Sequence, residues 1–169
     1  PPTALLGSRV TLGRNVRVGA YTVIEDNASI GDDTTILTHV FVGKNTTIGK
    51  NNVIHMGSVI GHEAQHKQSQ GVNSFLTIGD HNIFREYVTV QRGFAENSFT
   101  RIGDHNYFMV NSHVGHDSNV QNHAILTNGV LLGGHVLVED HCILGGGSAV
   151  HQFCRIGAYA MIGGLSSIT

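Results

Sequence analysis

The stretch NHAILTNGVLLGGHVLVEDHCILGGGSAVHQFCRIG, residues 122–157, decides the fold, because an aliphatic residue returns in it at every sixth position. The series runs through Leu126, Leu132, Val138, Leu144, Val150 and Ile156. Small residues follow four places later, as at Cys142, Ser148 and Cys154. A period of six does not fit an amphipathic helix, but it suits a short strand, a corner and another short strand.

The same period covers nearly the whole chain. It runs from Leu6 to Ile60, from Ile78 to Val90 and from Ile102 to Ile168, which gives 25 positions, 23 aliphatic and two Phe. The pattern predicts an all-β fold, a parallel β-helix of hexapeptide repeats with about eight coils, as a single domain over residues 1–169. Residues 62–77 and 94–101 do not follow the pattern, but after each segment the series resumes at a multiple of six residues. They are predicted to be loops ejected from a corner, where binding residues concentrate.

Composition narrows the function classes. The 169 residues are only 13% charged and carry a net charge of -2, so they lack the basic surface that nucleic-acid binding needs. No apolar run approaches the roughly 20 residues of a membrane span. The start, Pro1-Pro2-Thr3, shows neither a secretory signal nor an initiator Met, and the repeat is still running at Thr169. We therefore expect a trimmed or partial chain.

Twelve histidines invite a metal or catalytic interpretation. Half of them stand three residues past an aliphatic, namely His39, His81, His105, His123, His135 and His141. Elsewhere in the repeat Asn, Asp or Gly holds this position, as at Asn111, Gly93 and Gly147. These residue types tolerate a left-handed backbone, and so does His. Turn chemistry is therefore expected of these six, and exposure is expected of His62 and His66 in the first loop.

His116 differs from the other histidines because it stands two residues past its aliphatic, Val114. Residues eighteen apart stack on successive coils, so His116, Gly134 and Gln152 are predicted to form a ladder with rungs about 4.8 Å apart. By the same count Asp117 falls next to His135. His113 lies on the strand entering this corner, and His151 precedes Gln152. These residues are predicted to gather on one edge of three coils.

That edge permits acyl transfer. A neutral imidazole at His116 can take a proton from an alcohol as it attacks an acyl carbon. The Asp117 carboxylate could fix the tautomer of the ring, and the Gly134 N–H could stabilise an oxyanion. No Ser or Cys is placed as a nucleophile, because Cys142 and Cys154 occupy inward positions. Direct transfer is therefore favoured over a covalent intermediate.

Four segments resemble the UDP-N-acetylglucosamine O-acyltransferases of lipid A biosynthesis, a family of hexapeptide-repeat acyltransferases. They are IFREYVTVQRG (83–93), NSHVGHD (111–117), GGHV (133–136) and AVHQFCRIGAYAMIGG (149–164). The resemblance implies a left-handed coil, and a cytoplasmic homotrimer with its sites between neighbouring prisms. It also implies transfer of a 3-hydroxyacyl group from acyl carrier protein to the 3-hydroxyl of UDP-N-acetylglucosamine, the first step of lipid A biosynthesis. No cofactor or metal is implied.

The resemblance also implies roles for individual residues. His116 matches the catalytic base, Asp117 its supporting acid and Gly134 the oxyanion donor. Substrate-contacting positions match His113, His135, His151, Gln152 and Gln65, and Gly164 matches the position near the acyl terminus. The first loop departs from the pattern Gln-Asp-Leu-Lys, since residues 65–68 read Gln-His-Lys-Gln. The helical region that follows the repeat in the family is not expected in this chain.

Three alternatives remain open at this stage. A sugar N-acyltransferase of the same fold would act on an amino-sugar nucleotide. A trimeric zinc enzyme of the carbonic anhydrase type would place three imidazoles on the metal. A non-catalytic scaffold would bind acyl carrier protein or another partner without turnover, and the intact set of His116, Asp117 and Gly134 argues against it.

Overall fold

The computed structural model describes residues 1–69 and 71–169, so Gln70, within the predicted loop 62–77, lies outside the described residues. The described residues form 25 short strands, which is the number of six-residue faces in the sequence. The strands are β1 (Leu5–Leu6), β2 (Thr11–Leu12), β3 (Arg17–Val18), β4 (Val23–Ile24), β5 (Ser29–Ile30), β6 (Thr35–Ile36), β7 (Phe41–Val42), β8 (Thr46–Ile48), β9 (Val53–Ile54), β10 (Val59–His62), β11 (Phe75–Ile78), β12 (Ile83–Phe84), β13 (Thr89–Gln91), β14 (Phe99–Ile102), β15 (Tyr107–Phe108), β16 (His113–Val114), β17 (Asn119–Val120), β18 (Ile125–Leu126), β19 (Leu131–Leu132), β20 (Leu137–Val138), β21 (Ile143–Leu144), β22 (Ala149–Val150), β23 (Arg155–Ile156), β24 (Met161–Ile162) and β25 (Ser167–Ile168).

The strands lie in three parallel sheets that form the sides of a prism. Every third strand belongs to the same sheet, so the first sheet runs from β1 to β25, the second from β2 to β23 and the third from β3 to β24. Val114 pairs with Leu132 and Leu132 with Val150, which is the predicted spacing of eighteen. The chain is thus the expected left-handed parallel β-helix of about eight coils. We call the turns after the first, second and third sheets the first, second and third corners.

The core is the inside of the prism. The repeat aliphatics point inward, and Leu126, Leu132 and Leu144 are buried. Each such side chain contributes about 1.5–3 kcal/mol of hydrophobic free energy. The two aromatic members of the series, Phe84 and Phe108, stack at 4.7 Å between ring centroids, so successive coils fit these rings at the coil spacing. None of the described residues forms a helix long and apolar enough to cross a membrane.

The corner prediction is confirmed for the histidines. All six have φ between 57° and 60°, as do Asn and Asp residues at equivalent positions. The prediction is wrong for Gly93, which is not among the residues with positive φ. There β13 extends to Gln91, and the chain leaves the coil before this corner is completed. Glycine is needed at this point for another reason, because a Cβ at position 93 would collide with Ser98.

Both insertions are shorter than the sequence predicts. Strand β10 includes His62 and β11 begins at Phe75, so residues 63–74 form the first loop rather than 62–77. Strand β14 begins at Phe99, so residues 92–98 form the second loop rather than 94–101. In both cases the strands extend into the loop because β11 and β14 pair over four residues. Both loops leave the prism after strands of the first sheet, and therefore at the first corner.

Candidate active site

The first corner brings His116 and Asp117 into a hydrogen-bonded pair. Strand β16 ends at Val114, and Asp117 takes the left-handed turn conformation with φ of 58°. Asp117 Oδ2 lies 2.8 Å from His116 Nδ1. The two side chains are 16% and 11% exposed, so the pair is shielded from water without being sealed. In the neutral ring with its proton on Nδ1, this contact holds that proton toward the carboxylate, and the lone pair of Nε2 is available to act as a base.

The pKa of Asp117 is the result of opposing effects. Burial of the carboxyl group raises the pKa, while hydrogen bonds from the Ser98 side chain, the His116 ring and the Phe94 N–H lower it. The hydrogen bonds prevail, and the pKa of Asp117 lies below its ordinary value. The carboxylate is therefore charged at neutral pH.

Gly134 lies directly beneath the His116 ring, as the ladder predicts. A Cβ at position 134 would lie 2.6 Å from Cε1 and 2.7 Å from Nε2 of His116. No side chain fits there, since real Cβ atoms do not approach other atoms so closely. The glycine thus makes room for the imidazole against the next coil.

The backbone N–H of Gly134 also has no acceptor among the described residues. At the second corner several of the corresponding N–H groups are occupied; for example, Arg14 donates to Asp32 and Asp104 donates to Asn122, each at 2.8 Å. Those acceptors come from the next coil. At the first corner the next coil offers Gln152, whose side chain does not bond to Gly134. A free donor therefore lies beside Nε2 of the base.

His135 borders the pair from the other side. Its ring stands at 88° to that of His116 with centroids 5.2 Å apart, and its Nε2 is 3.9 Å from Asp117 Oδ2. His116, Asp117 and His135 also form a group whose potential metal-ligand atoms lie within 4.8 Å of one another. In this chain that group has two imidazoles and one carboxylate rather than the three imidazoles that the zinc alternative requires.

A groove of about 780 Å³ runs along the outside of the first sheet, next to this corner. Gly134 and Gln152 lie on its wall, together with the predicted residues His113, His151 and Gln65. Gln65 reaches the groove from the first loop. The groove is lined by both polar side chains and apolar ones such as Leu131, so it can accept a ligand with both kinds of surface.

His113 is a neutral member of the groove wall. Its Nδ1 is hydrogen-bonded to Thr89 Oγ1 at 2.7 Å. Burial, and then the nearby His116, lower the pKa of His113 below its ordinary value. His113 is therefore suited to hydrogen bonding with a ligand rather than to ion pairing.

Gly164 is the predicted site residue that the structure sets apart. It lies at the third corner, next to Gly146, and it does not line the groove in this chain. His116 and Gly164 thus occupy opposite edges of the first sheet. Within the described residues of one chain, they do not face a common cavity.

Gln65 of the first loop was predicted for the site, but Phe94 and His66, one from each loop, were not. Phe94 donates its N–H to Asp117 Oδ2 at 2.9 Å, and its ring centroid is 5.4 Å from that of His116. His66 is exposed as expected, but its ring packs edge-on against Phe94 at 4.4 Å and lies 6.4 Å from His116. The sequence contains a signal for these contacts, because both insertions follow strands of the first sheet, as His116 does.

A coil of six-residue repeats is the architecture of the hexapeptide-repeat proteins. The repeat family described as bacterial transferase hexapeptide (six repeats) matches residues 9–44 and 27–62. The chain is 44% identical over 169 residues to the acyl-[acyl-carrier-protein]--UDP-N-acetylglucosamine O-acyltransferase of Sinorhizobium fredii. This match covers 99% of this chain and 63% of that protein.

Solved structures agree with the sequence comparison. The UDP-N-acetylglucosamine O-acyltransferase of Moraxella catarrhalis is 40% identical with a TM-score of 0.97, and the UDP-N-acetylglucosamine acyltransferase of Bacteroides fragilis is 34% identical with a TM-score of 0.97. Each match covers 100% of this chain and 66% of the other. The chain belongs to the family of the UDP-N-acetylglucosamine O-acyltransferases. It spans about 63% of the length of its curated relatives.

Proposed function

We propose that this chain carries the acyl-transfer site of an enzyme that moves a 3-hydroxyacyl group from acyl carrier protein to the 3-hydroxyl of UDP-N-acetylglucosamine, the first step of lipid A biosynthesis. The observation that carries the proposal is the contact of His116 Nδ1 with Asp117 at 2.8 Å, next to the free N–H of Gly134. The names and the similarity of the relatives support the choice of substrates.

In this mechanism Nε2 of His116 takes the proton of the sugar 3-hydroxyl as its oxygen attacks the thioester carbon. Asp117 stabilises the imidazolium that forms. The Gly134 N–H stabilises the negative charge on the tetrahedral intermediate. When the intermediate collapses, the C–S bond breaks and the thiolate takes the proton from His116. The products are the acylated sugar nucleotide and the free thiol of acyl carrier protein.

The remaining roles are parts of the same proposal. His113, His151, Gln152 and Gln65 would contact the substrates along the groove, and His135 would contact them beside Asp117. Gly164 would lie near the acyl terminus if a second copy of the chain brings the third corner of one prism to the first corner of another. A homotrimer, by analogy with the family, would do this. We propose a cytoplasmic location on the same basis.

A specific observation keeps one alternative in view. In the first loop His66 stands where the resemblance implies an acidic residue, directly after Gln65 on the groove wall. This change supports an amino-sugar nucleotide as a second candidate acceptor. The test is an acyl-transfer assay with a series of acyl carrier protein thioesters, offered in parallel with UDP-N-acetylglucosamine and its 3-amino analogue. Transfer to neither acceptor, by a folded protein, would contradict the proposal.

A further inference from the structure

The second loop, residues 92–98, is fixed to the structure around it. The Gly93 N–H donates to the carbonyl of Phe75 at 3.1 Å, and the Asn97 N–H donates to the carbonyl of Asn73 at 2.9 Å. The loop is thereby attached to a strand of the second sheet and to the end of the first loop. Its backbone position is set by these bonds and not by the repeat.

Phe94, within this loop, reaches the proposed catalytic pair in two ways. Its N–H donates to Asp117 Oδ2 at 2.9 Å, and the same oxygen lies 2.8 Å from His116 Nδ1. Its ring lies 5.4 Å from the His116 ring, between centroids. The other side of Asp117 is fixed as well, because the Asp117 N–H donates to Thr100 Oγ1 at 2.8 Å.

The repeat itself does not provide such a donor. At the second corner the carboxylate of Asp140 accepts the N–H of Asn122, because both stand two places past an aliphatic on adjacent coils. Asp117 stands three places past Val114, where the neighbouring coils offer no N–H to its carboxylate among the described residues. Phe94 supplies the missing donor from outside the hexapeptide frame.

We propose that Phe94 is a positioning residue of the acyl-transfer site, whose backbone N–H holds the Asp117 carboxylate in the orientation that directs Oδ2 to Nδ1 of His116. This inference rests on the proposed function for its catalytic consequence. Asp117 has two oxygens and a free χ2 rotation. A second fixed donor on Oδ2 selects the rotamer that keeps the Nδ1 proton in place.

Charge on Asp117 is part of the same arrangement. Burial raises the pKa of the Asp117 carboxyl. The Ser98 side chain, the His116 ring and the Phe94 N–H lower it, and together they outweigh burial. Removing the Phe94 donor therefore raises the pKa of Asp117 toward the value that burial would impose. A protonated Asp117 would no longer hold the Nδ1 proton of His116, so the acid limb of the rate profile should move to higher pH.

The test compares Phe94→Pro, which removes the N–H and the ring, with Phe94→Ala, which removes only the ring. For Phe94→Pro we expect kcat to fall by about 10- to 100-fold, as misplaced catalytic groups do, with KM nearly unchanged. The ¹³C resonance of the Asp117 carboxyl, followed against pH without substrate, should titrate at higher pH than in the unmodified protein. Phe94→Ala should keep that titration and most of the turnover.

A proline at position 94 could distort the loop, so Ser98→Ala provides a second measurement. It removes another donor to Asp117, and it should also raise the pH at which the carboxyl titrates. Glu96→Ala is the matched control, because among the described residues Glu96 accepts the N–H of Asn73 in the first loop and has no hydrogen bond to Asp117. It should leave the titration unchanged.

Titration of Asp117 at the same pH in Phe94→Pro as in Glu96→Ala would overturn the inference, whatever the result for Ser98→Ala. The proposed function fails by a different result, since an unmodified protein without transfer activity would contradict it while the carboxyl titration could still be measured. The two failures are thus separate.

Discussion

Histidines at the first and second corners of the prism take opposite arrangements. At the second corner His81, His105, His123 and His141 form a column whose rings are parallel within 3° and 4.7–4.9 Å apart. Tyr159 continues the column at 4.8 Å. At the first corner the His116 ring stands nearly perpendicular to His135 and turns one nitrogen toward Asp117.

The difference comes from the place in the turn and from the next coil. Each histidine of the column stands three places past its aliphatic and meets another ring at the same position on the next coil, so the rings stack at the coil spacing. His116 meets Gly134 instead, and its ring occupies the space that a side chain would fill. A different place in the turn and one missing side chain therefore separate a histidine that can act as a base from one that is part of a turn.

The largest expected difference is in turnover. His116→Ala should reduce acyl transfer by about 10²- to 10⁴-fold, because the general base is lost. His123→Ala removes an imidazole from the column and should leave transfer nearly unchanged. Steady-state rates with acyl carrier protein thioesters measure both, and circular dichroism checks that the fold is retained. Comparable rates for the two variants would contradict a catalytic role for the first corner that the second corner lacks.

The next largest effect concerns the glycine beneath the ring. Gly134→Ala forces the His116 ring to move, since the new Cβ would lie 2.6 Å from Cε1, and we expect about a 10²-fold loss of kcat from the misplaced base. Gly157→Ala is the matched control at the second corner, where the nearest atom to the new Cβ is 4.0 Å away. Similar kinetics for both variants would show that the ring position does not matter.

A smaller effect is expected on stability within the column. His123→Asn and His123→Ala both remove the two ring contacts of residue 123, worth about 0.5–1.5 kcal/mol each at most. The alanine variant should be less stable than the asparagine variant by about 1 kcal/mol, because Asn tolerates the left-handed φ of 57° at this position. Urea unfolding measures the difference. Equal midpoints would mean that turn conformation contributes little there.

The smallest effect is expected in acid. The pKa of Asp140 lies below its ordinary value of 3.8, chiefly because its carboxylate accepts the Asn122 N–H. Partial burial raises the pKa but does not outweigh this hydrogen bond. A lowered folded pKa gives stability that is present above 3.8 and is lost as the pH falls through the folded value. Asp140→Asn keeps an acceptor oxygen, as Asn122 does, and should melt with a weaker pH dependence between pH 2 and 5. An unchanged dependence would contradict this assignment.

Much of the fold follows from local pattern. The period of six predicts the number of strands and the spacing of eighteen, and the residues at the corners predict most of the left-handed positions. The pattern fails where the chain leaves it, as at Gly93 and at the ends of both loops. There long-range pairing of β11 with β14 sets the strand ends. Tyr21 and Leu165, with positive φ, were also not predicted from their residue types.

For the candidate site, too, the contacts within the repeat could be predicted and the contacts outside it could not. Coil arithmetic stacks His116 on Gly134 and brings His135 beside Asp117, because a rigid repeat converts sequence spacing into distance. It does not predict Phe94 at Asp117, since a loop has no fixed period. Nor does it bring Gly164 to the groove, which in one chain lies at another edge.

The sequence alone determined that this protein forms coils of eighteen residues, because each six-residue unit repeats an inward aliphatic residue, a corner and a short strand. Only the folded chain decided which nitrogen of His116 faces a carboxylate, which backbone N–H remains without an acceptor, and which loop contributes to the pair. Those outcomes depend on contacts between segments that the repeat does not relate, so no period in the sequence encodes them.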